Sequence, residues 1–180
     1  MAAETLNAVL LRRTRFSDTS LIVSWFSRER GKLKTVAKGA LRAKSSFAGK
    51  LDLFFQCELT IAWSQRSELH SLREVVLLEP FAGIREHYTN TLAAGYFAEL
   101  IEETTEPEHP EAAIYELLIR AFSYLQANPA TARAVRFFER ELAKSLGIES
   151  GKPNQAADHL LHSLQRTRTT RVKLLGLLRE

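Results

Sequence analysis

Over the first 79 residues the apolar positions recur at a two-residue period, and beyond Pro80 they recur at the longer period of helices. Residues 6–13 and 19–27 are apolar runs joined by Thr14-Arg15-Phe16-Ser17-Asp18, a plausible hairpin connection. In the second run Leu21, Val23 and Trp25 share one face, while Ile22, Ser24 and Phe26 share the other. Residues 31–39, entered through Arg28-Glu29-Arg30-Gly31, make a third strand. Residues 51–63 make a fourth, with Leu59, Ile61 and Trp63 alternating, and residues 69–79 a fifth. Five short strands in about 75 residues predict a small closed barrel of the OB type, although the count alone leaves an SH3-like barrel open.

The second part predicts an all-α domain. Residues 84–103 carry Leu92, Tyr96 and Leu100 at helical spacing, and the polar stretch 103–111, with Pro107 and Pro110, ends that run. It reads as a solvated loop between helices. A second helix follows through Ile114, Leu117, Leu118, Ala121, Phe122 and Leu125, closed by Asn128-Pro129. A third runs from Pro129, well placed in a first turn, to Leu146, with Gly147 at its end. Residues near 154–165 and 171–179 could form two more. The expected organisation is β + α: a five-stranded OB-fold barrel over residues 1–79, then an all-α helical domain over 80–180.

Composition narrows the class. An apolar share of 45% can fill a core, and no apolar run approaches the 18 residues that a membrane span needs. The N-terminus Met-Ala-Ala-Glu-Thr-Leu has neither the cationic segment nor the long apolar segment of a signal peptide, so the expectation is a cytoplasmic protein. Cys57, the single cysteine, cannot form an internal disulfide and reads as a small core residue.

Charge changes the picture more. The formal +4 is concentrated early: between Arg12 and Lys50 the acids are Asp18 and Glu29 alone, whereas from Pro80 onward acids and bases are roughly balanced. The run Gly31-Lys-Leu-Lys-Thr-Val-Ala-Lys-Gly-Ala-Leu-Arg-Ala-Lys44 alternates so that Lys32, Lys34 and Lys38 face one way and Leu33, Thr35 and Ala37 the other. Lysines can simply guard a strand edge. With Arg12, Arg13, Arg15, Arg28 and Arg30 before them and Arg42, Lys44 and Lys50 after, they point to a polyanion, nucleic acid above all. The stretch lacks the apolar helical face of a membrane anchor.

In order along the chain, Leu10-Leu11-Arg12-Arg13-Thr14, Asp18-Thr19-Ser20-Leu21-Ile22-Val23, Gly31-Lys32-Leu33, Val36-Ala37-Lys38-Gly39-Ala40 and Lys44-Ser45-Ser46-Phe47-Ala48-Gly49-Lys50-Leu51 resemble the RecO family of recombination mediators. Arg136-Phe137-Phe138-Glu139 and Leu146-Gly147 extend the resemblance into the helical part. The resemblance implies an OB fold on a helical bundle and no catalysis. It also implies binding and annealing of single- and double-stranded DNA, with two partners: RecR and the acidic C-terminal tail of single-stranded-DNA-binding protein. Many members carry a Cys-x-x-Cys zinc module after the third helix, where this chain has residues 148–153 without cysteine, so zinc is not expected. The family's longer C-terminal region corresponds here to residues 154–180, which leaves open any partner contact made beyond it.

Phosphate contacts are expected first from Lys34, Lys38, Arg42, Lys44 and Lys50, then from Lys32, Arg12 and Arg13. Of the aromatics Phe16, Trp25, Phe26 and Phe47 within the basic segment, Phe47 lies in a loop and is the best base-stacking candidate, while Trp25 reads as core. Gly39 and Gly49 could bound a mobile loop. In the third helix Arg133, Arg136 and Arg140 recur at spacings of three and four beside Phe137, a pattern suited to an acidic peptide with an apolar end, with Arg136 ranked first. An ordinary cationic face paired with Glu139 and Glu141 would give the same pattern. His159 and His162 lack further ligands, and no catalytic constellation stands out. Arg166, Arg168, Arg171 and Lys173 could extend a DNA track or solubilise a terminal helix. The competing readings are a protein–protein adaptor with solubilising lysines and an RNA-binding OB protein.

Overall fold

Strands β1 (Ala3–Arg15), β2 (Leu21–Ser27), β3 (Gly31–Ala37), β4 (Gln56–Ala62) and β5 (Leu69–Glu79) close into a barrel in the order β1-β2-β3-β5-β4. This is a computed structural model and describes residues 3–148, 153–162 and 164–178; the side chains of 153–157, 165 and 166, Arg166 among them, lie outside that description. Every ladder is antiparallel except the β3–β5 seam, which is parallel and three pairs long: Lys34–Leu69, Thr35–His70 and Val36–Ser71. That strand order with one short parallel seam is the OB arrangement, which resolves the choice that strand counting left open.

Alternation decides what fills the barrel. Leu6, Ala8 and Leu10 of β1 point in, with Val23 and Trp25 of β2, Leu33 of β3, Leu59 and Ile61 of β4 and Val75 of β5. Trp25 is fully buried as expected, and its indole N–H donates to Thr35 Oγ1 at 2.9 Å. Cys57 lies in the same interior, where burial pushes its thiol up to about 12. A bulge in β1 between Leu10 and Arg12 resets the alternation. Two residues beyond inward-facing Leu10, Arg12 would otherwise turn inward; the extra residue sends it out.

The fourth apolar run is shorter as a strand than its hydrophobicity suggests. Residues 51–55 turn, with Phe54 at φ 70°, and are pinned to β1 by Phe54 N to Leu10 O and Leu10 N to Phe55 O, each 2.9 Å. Apolar character there serves a plug: Leu51 enters the barrel interior.

The chain divides into two compact units, one holding the barrel through Phe81 together with Thr105–Tyr115, the other holding Ala82–Thr104 and the chain from Glu116 onward. Residues 106–110 are exposed, as their charge suggests, yet the segment also pairs with the barrel. Pro107 bridges Lys32 in parallel, Glu108 N donates to Lys32 O at 2.8 Å, and the segment covers the edge of β3 that β5 leaves unpaired. Gly31 makes this possible. At φ +63° it favours glycine, and a Cβ there would stand 1.9 Å from His109 O.

In the helical unit a 3-10 turn, Ala82–Glu86, leads to α1 (Tyr88–Thr104). Then come α2 (Ala112–Ala127, of which the part from Glu116 belongs to this unit), α3 (Ala132–Ser145), α4 (Pro153–His162) and α5 (Gln165–Leu177). Pro129 is outside α3. Its N-cap is Thr131, whose hydroxyl accepts from Ala134 N at 3.1 Å, because the preceding turn is held by buried Asn90, which donates to Leu125 O and Asn128 O and accepts from Ala130 N. Gly147 at φ 70° ends the helix as expected. Glu139 is completely buried: Arg171 of α5 grips both its oxygens at 2.6 and 2.9 Å, and Tyr96 donates to Oε1 at 2.6 Å. Burial, then the Glu139 charge, holds the Tyr96 hydroxyl protonated far above its ordinary range. Arg171→Met should lower unfolding stability by about 3 kcal/mol in urea denaturation, because it leaves a buried carboxylate without its cation. Adding Glu139→Gln to that variant should recover part of the loss.

Candidate nucleic-acid interface

The register assembles an outer surface that the linear sequence does not display. One row across three antiparallel strands reads Arg12, Ser24, Lys34, and it continues over the seam to Leu69. The next reads Thr14, Ile22, Val36, Ser71, and Lys38 follows Val36 on the same face. With strands ~4.8 Å apart, Arg12 and Lys34 stand roughly 10 Å from each other. Ser24 between them is 3% exposed, so little side chain rises between the two cations.

The connection from β3 to β4 carries Arg42, Lys44 and Lys50. Leu41 N donates to Thr19 O at 2.9 Å and Gly39 N to Ser20 Oγ at 3.3 Å, which ties its start to the β1–β2 turn. Its end is held by Phe47 and Leu51 inside the barrel. The segment between Gly39 and Gly49 is thus anchored on both sides, with Phe47 buried inside the barrel. Lys34, Lys38, Arg42 and Lys44 are exposed and Lys50 half-buried; among the described residues none of the five pairs with a carboxylate.

Three expected contacts are spent elsewhere. Phe47 is 7% exposed and fills the barrel, so it is no stacking platform; a lone aromatic in a loop was attributed to a ligand when the barrel's own end needed closing. Arg13, in register with inward-facing Val23, reaches over the barrel end to donate to Leu51 O at 2.6 Å and pairs with Asp52 at 3.2 Å. Lys32 is half-buried, with Nζ on Thr105 O at 2.5 Å. Of the four aromatics in the basic segment, Phe16 is the exposed one, at the β1–β2 turn. Arg15 beside it pairs with Asp18, and Arg30 with Glu4, whose carboxyl Arg30 holds below its usual range.

Two cations were missed. Arg73 follows Ser71 on β5 as Lys38 follows Val36 on β3, and Arg66 projects from the β4–β5 loop; both are exposed and line one hollow with Lys38. Alternation in 69–79 puts Arg73 on the face of Ser71, but only the β3–β5 pairing shows that this face adjoins the lysines.

In the helical unit α1, α2 and α3 enclose a largely apolar hollow of about 420 Å³, walled by Phe97, Leu117, Tyr124, Phe137 and Phe138. Arg133 lines it, as does Arg120 of α2, which the sequence reading did not single out. Arg136, ranked first from sequence, is exposed but is not part of the lining. Arg140 lies over the Phe137 ring at 5.2 Å and pairs with Glu141 at 3.3 Å. Glu139 does not neutralise this face, because it turns inward to Arg171.

The family pattern described as "Recombination protein O N terminal" matches residues 1–81, and "Recombination protein O C terminal" matches 85–150. The chain belongs to the RecO family. Relatives named "DNA repair protein RecO" include one from Rhodopirellula baltica, 29% identical over 140 residues, covering 78% of this chain and 52% of the relative. One from Salinibacter ruber is 33% identical over 144 residues, covering 78% and 55%. A third, from Syntrophus aciditrophicus, is 29% identical, covering 81% and 56%. The chain thus spans little more than half the length of these RecO relatives.

Of residues 148–153, where zinc was not expected, 149–152 lie outside the described residues. Among the described residues no three His, Cys, Asp or Glu side chains gather as metal ligands, and no helix is long and apolar enough to cross a membrane.

If Phe47 is a plug, Phe47→Ala should cost about 3 kcal/mol of stability in urea denaturation, the scale of a large buried aromatic lost from a core. A stacking residue at the surface would leave the midpoint nearly unchanged.

Proposed function

We propose that this RecO-family chain is a DNA-binding mediator of recombinational repair. It holds single- and double-stranded DNA by the phosphates, brings complementary strands together, and assists recombinase loading. The observation that carries this reading is the row of Arg12 and Lys34 on the barrel's outer face, continued by Lys38 and flanked by the cationic loop of Arg42, Lys44 and Lys50.

Annealing is first a matter of charge. Two strands repel until cations lower the phosphate charge, after which pairing is favourable without any chemical step. About five phosphate contacts would give log K a slope near −3.5 against log salt on single strands. Such contacts position a strand without reading it, so binding is nearly independent of sequence. Family membership also supports cooperation with RecR. The apolar hollow with Arg120 and Arg133 suits the acidic, apolar-ended tail of single-stranded-DNA-binding protein: the hollow takes the apolar end and the guanidinium groups take carboxylates.

The variant Lys34→Ala/Lys38→Ala/Arg42→Ala should keep its circular dichroism, bind oligonucleotides more weakly, and show a salt slope shallower by about 2 in fluorescence anisotropy. An unchanged titration of the folded variant would refute the surface assignment. For the helical unit, Phe137→Asp should abolish anisotropy binding of a labelled peptide of that acidic tail, whereas Arg136→Ala should weaken it less than Arg133→Ala. Equal binding by Phe137→Asp would remove the hollow as the tail's seat.

A further inference from the structure

The β3–β5 seam is paired for three residues only. Toward one end the segment 105–110 borders β3 at Lys32; past Val36 and Ser71 no further pair follows among the described residues, and a hollow of about 500 Å³ lies along the seam beside the β4–β5 loop. Its walls include Val36, Leu69 and Trp63, and Lys38, Arg66 and Arg73 line it too. Among the described residues neither arginine has a carboxylate partner. The loop is held in place. His70, 2% exposed, accepts at Nδ1 from Ser64 N at 3.2 Å, so Nε2 carries the hydrogen and donates to Glu108 at 2.9 Å. The Trp63 ring stands edge-on to His70 at 4.3 Å.

Three unneutralised cations around a hollow that is about half polar, with Val36, Leu69 and Trp63 as its apolar wall, fit a ligand with an anionic part and a flat apolar part, in a volume ordinary for small-molecule pockets. The hollow is also continuous with the row carrying Arg12 and Lys34, through Val36 and Lys38. We propose that this seam is a nucleotide pocket selective for unpaired DNA: Lys38, Arg66 and Arg73 take a backbone phosphate, and the hollow takes the adjoining base. The proposal rests on the reading that the barrel's outer face carries DNA, and it adds what that face alone lacks, a preference for single strands. A base within a duplex reaches the pocket only by leaving its stack and its partner. An unpaired base enters without that cost and gains the contact with the apolar wall.

The test measures anisotropy with three labelled probes: an oligothymidylate, an abasic strand of equal length and charge, and a blunt duplex. Wild type should bind the oligothymidylate roughly tenfold more tightly than the abasic strand, the scale of one base held by stacking contacts. Ser71→Trp, which fills the hollow without changing charge, should erase that difference while leaving duplex affinity within about twofold. Arg66→Ala/Arg73→Ala, at two exposed positions that no core contact requires, should weaken oligothymidylate more than duplex. Equal wild-type affinity for abasic and normal strands would overturn the pocket, as would a Ser71→Trp loss equal on all probes in a folded protein. Arg12→Ala/Lys34→Ala reads the surface separately. Weakening on every probe with Ser71→Trp inert keeps the surface and removes the pocket, whereas no effect on any probe removes the surface.

Discussion

A five-stranded barrel has room inside only for side chains, and that constraint governs everything the outer surface can do. Each strand must surrender alternate residues to the interior. In β2 this takes Val23 and Trp25; in β3 it takes Leu33 and Ala37, with Thr35 bonded to the Trp25 indole. The remaining positions are excused from packing and are free to carry charge at little cost, which is why Lys34 and Lys38 can stand in water beside a dry core. The β1 bulge extends the same logic. Without one extra residue Arg12 would face an interior with no counter-charge, where an unpaired guanidinium is costly.

Closure creates the second constraint. Five strands cannot seal both ends and the parallel seam by themselves, so segments from elsewhere complete the barrel. Phe47 and Leu51 stop one end, Arg13 of β1 clamps the Leu51 carbonyl, and residues 105–110 finish the edge of β3. Residue types that would suit DNA binding in isolation, an arginine, a lysine and a loop aromatic, are used for this purpose. The cations left over are those on strands already paired on both sides or on turns already anchored.

In the helical unit the corresponding fixed point is Glu139. A carboxylate with no exposure persists because a guanidinium and a phenol satisfy it together, and this arrangement ties α5 to α1 and α3. Turning Glu139 inward also removes an acid from the face of α3 where Arg133 and Phe137 border the hollow. Packing and surface charge are therefore set by one side-chain orientation.

The order and type of elements were legible in the chain alone, since periods of two and of about 3.6 are local geometry written directly into apolar spacing, and the excess of early cations over acids is plain composition. Also legible was that Trp25 and Cys57 are core. Tertiary structure decided which candidate contacts remain available, because Arg13 and Lys32 are taken by partners 38 and 73 residues distant in the chain and Phe47 by the shared interior. It alone brought Arg66 and Arg73 beside Lys38, and Arg120 beside Arg133. Alternation tells which side of a strand a residue occupies; which strand lies next to it is a long-range pairing, and no local pattern encodes that.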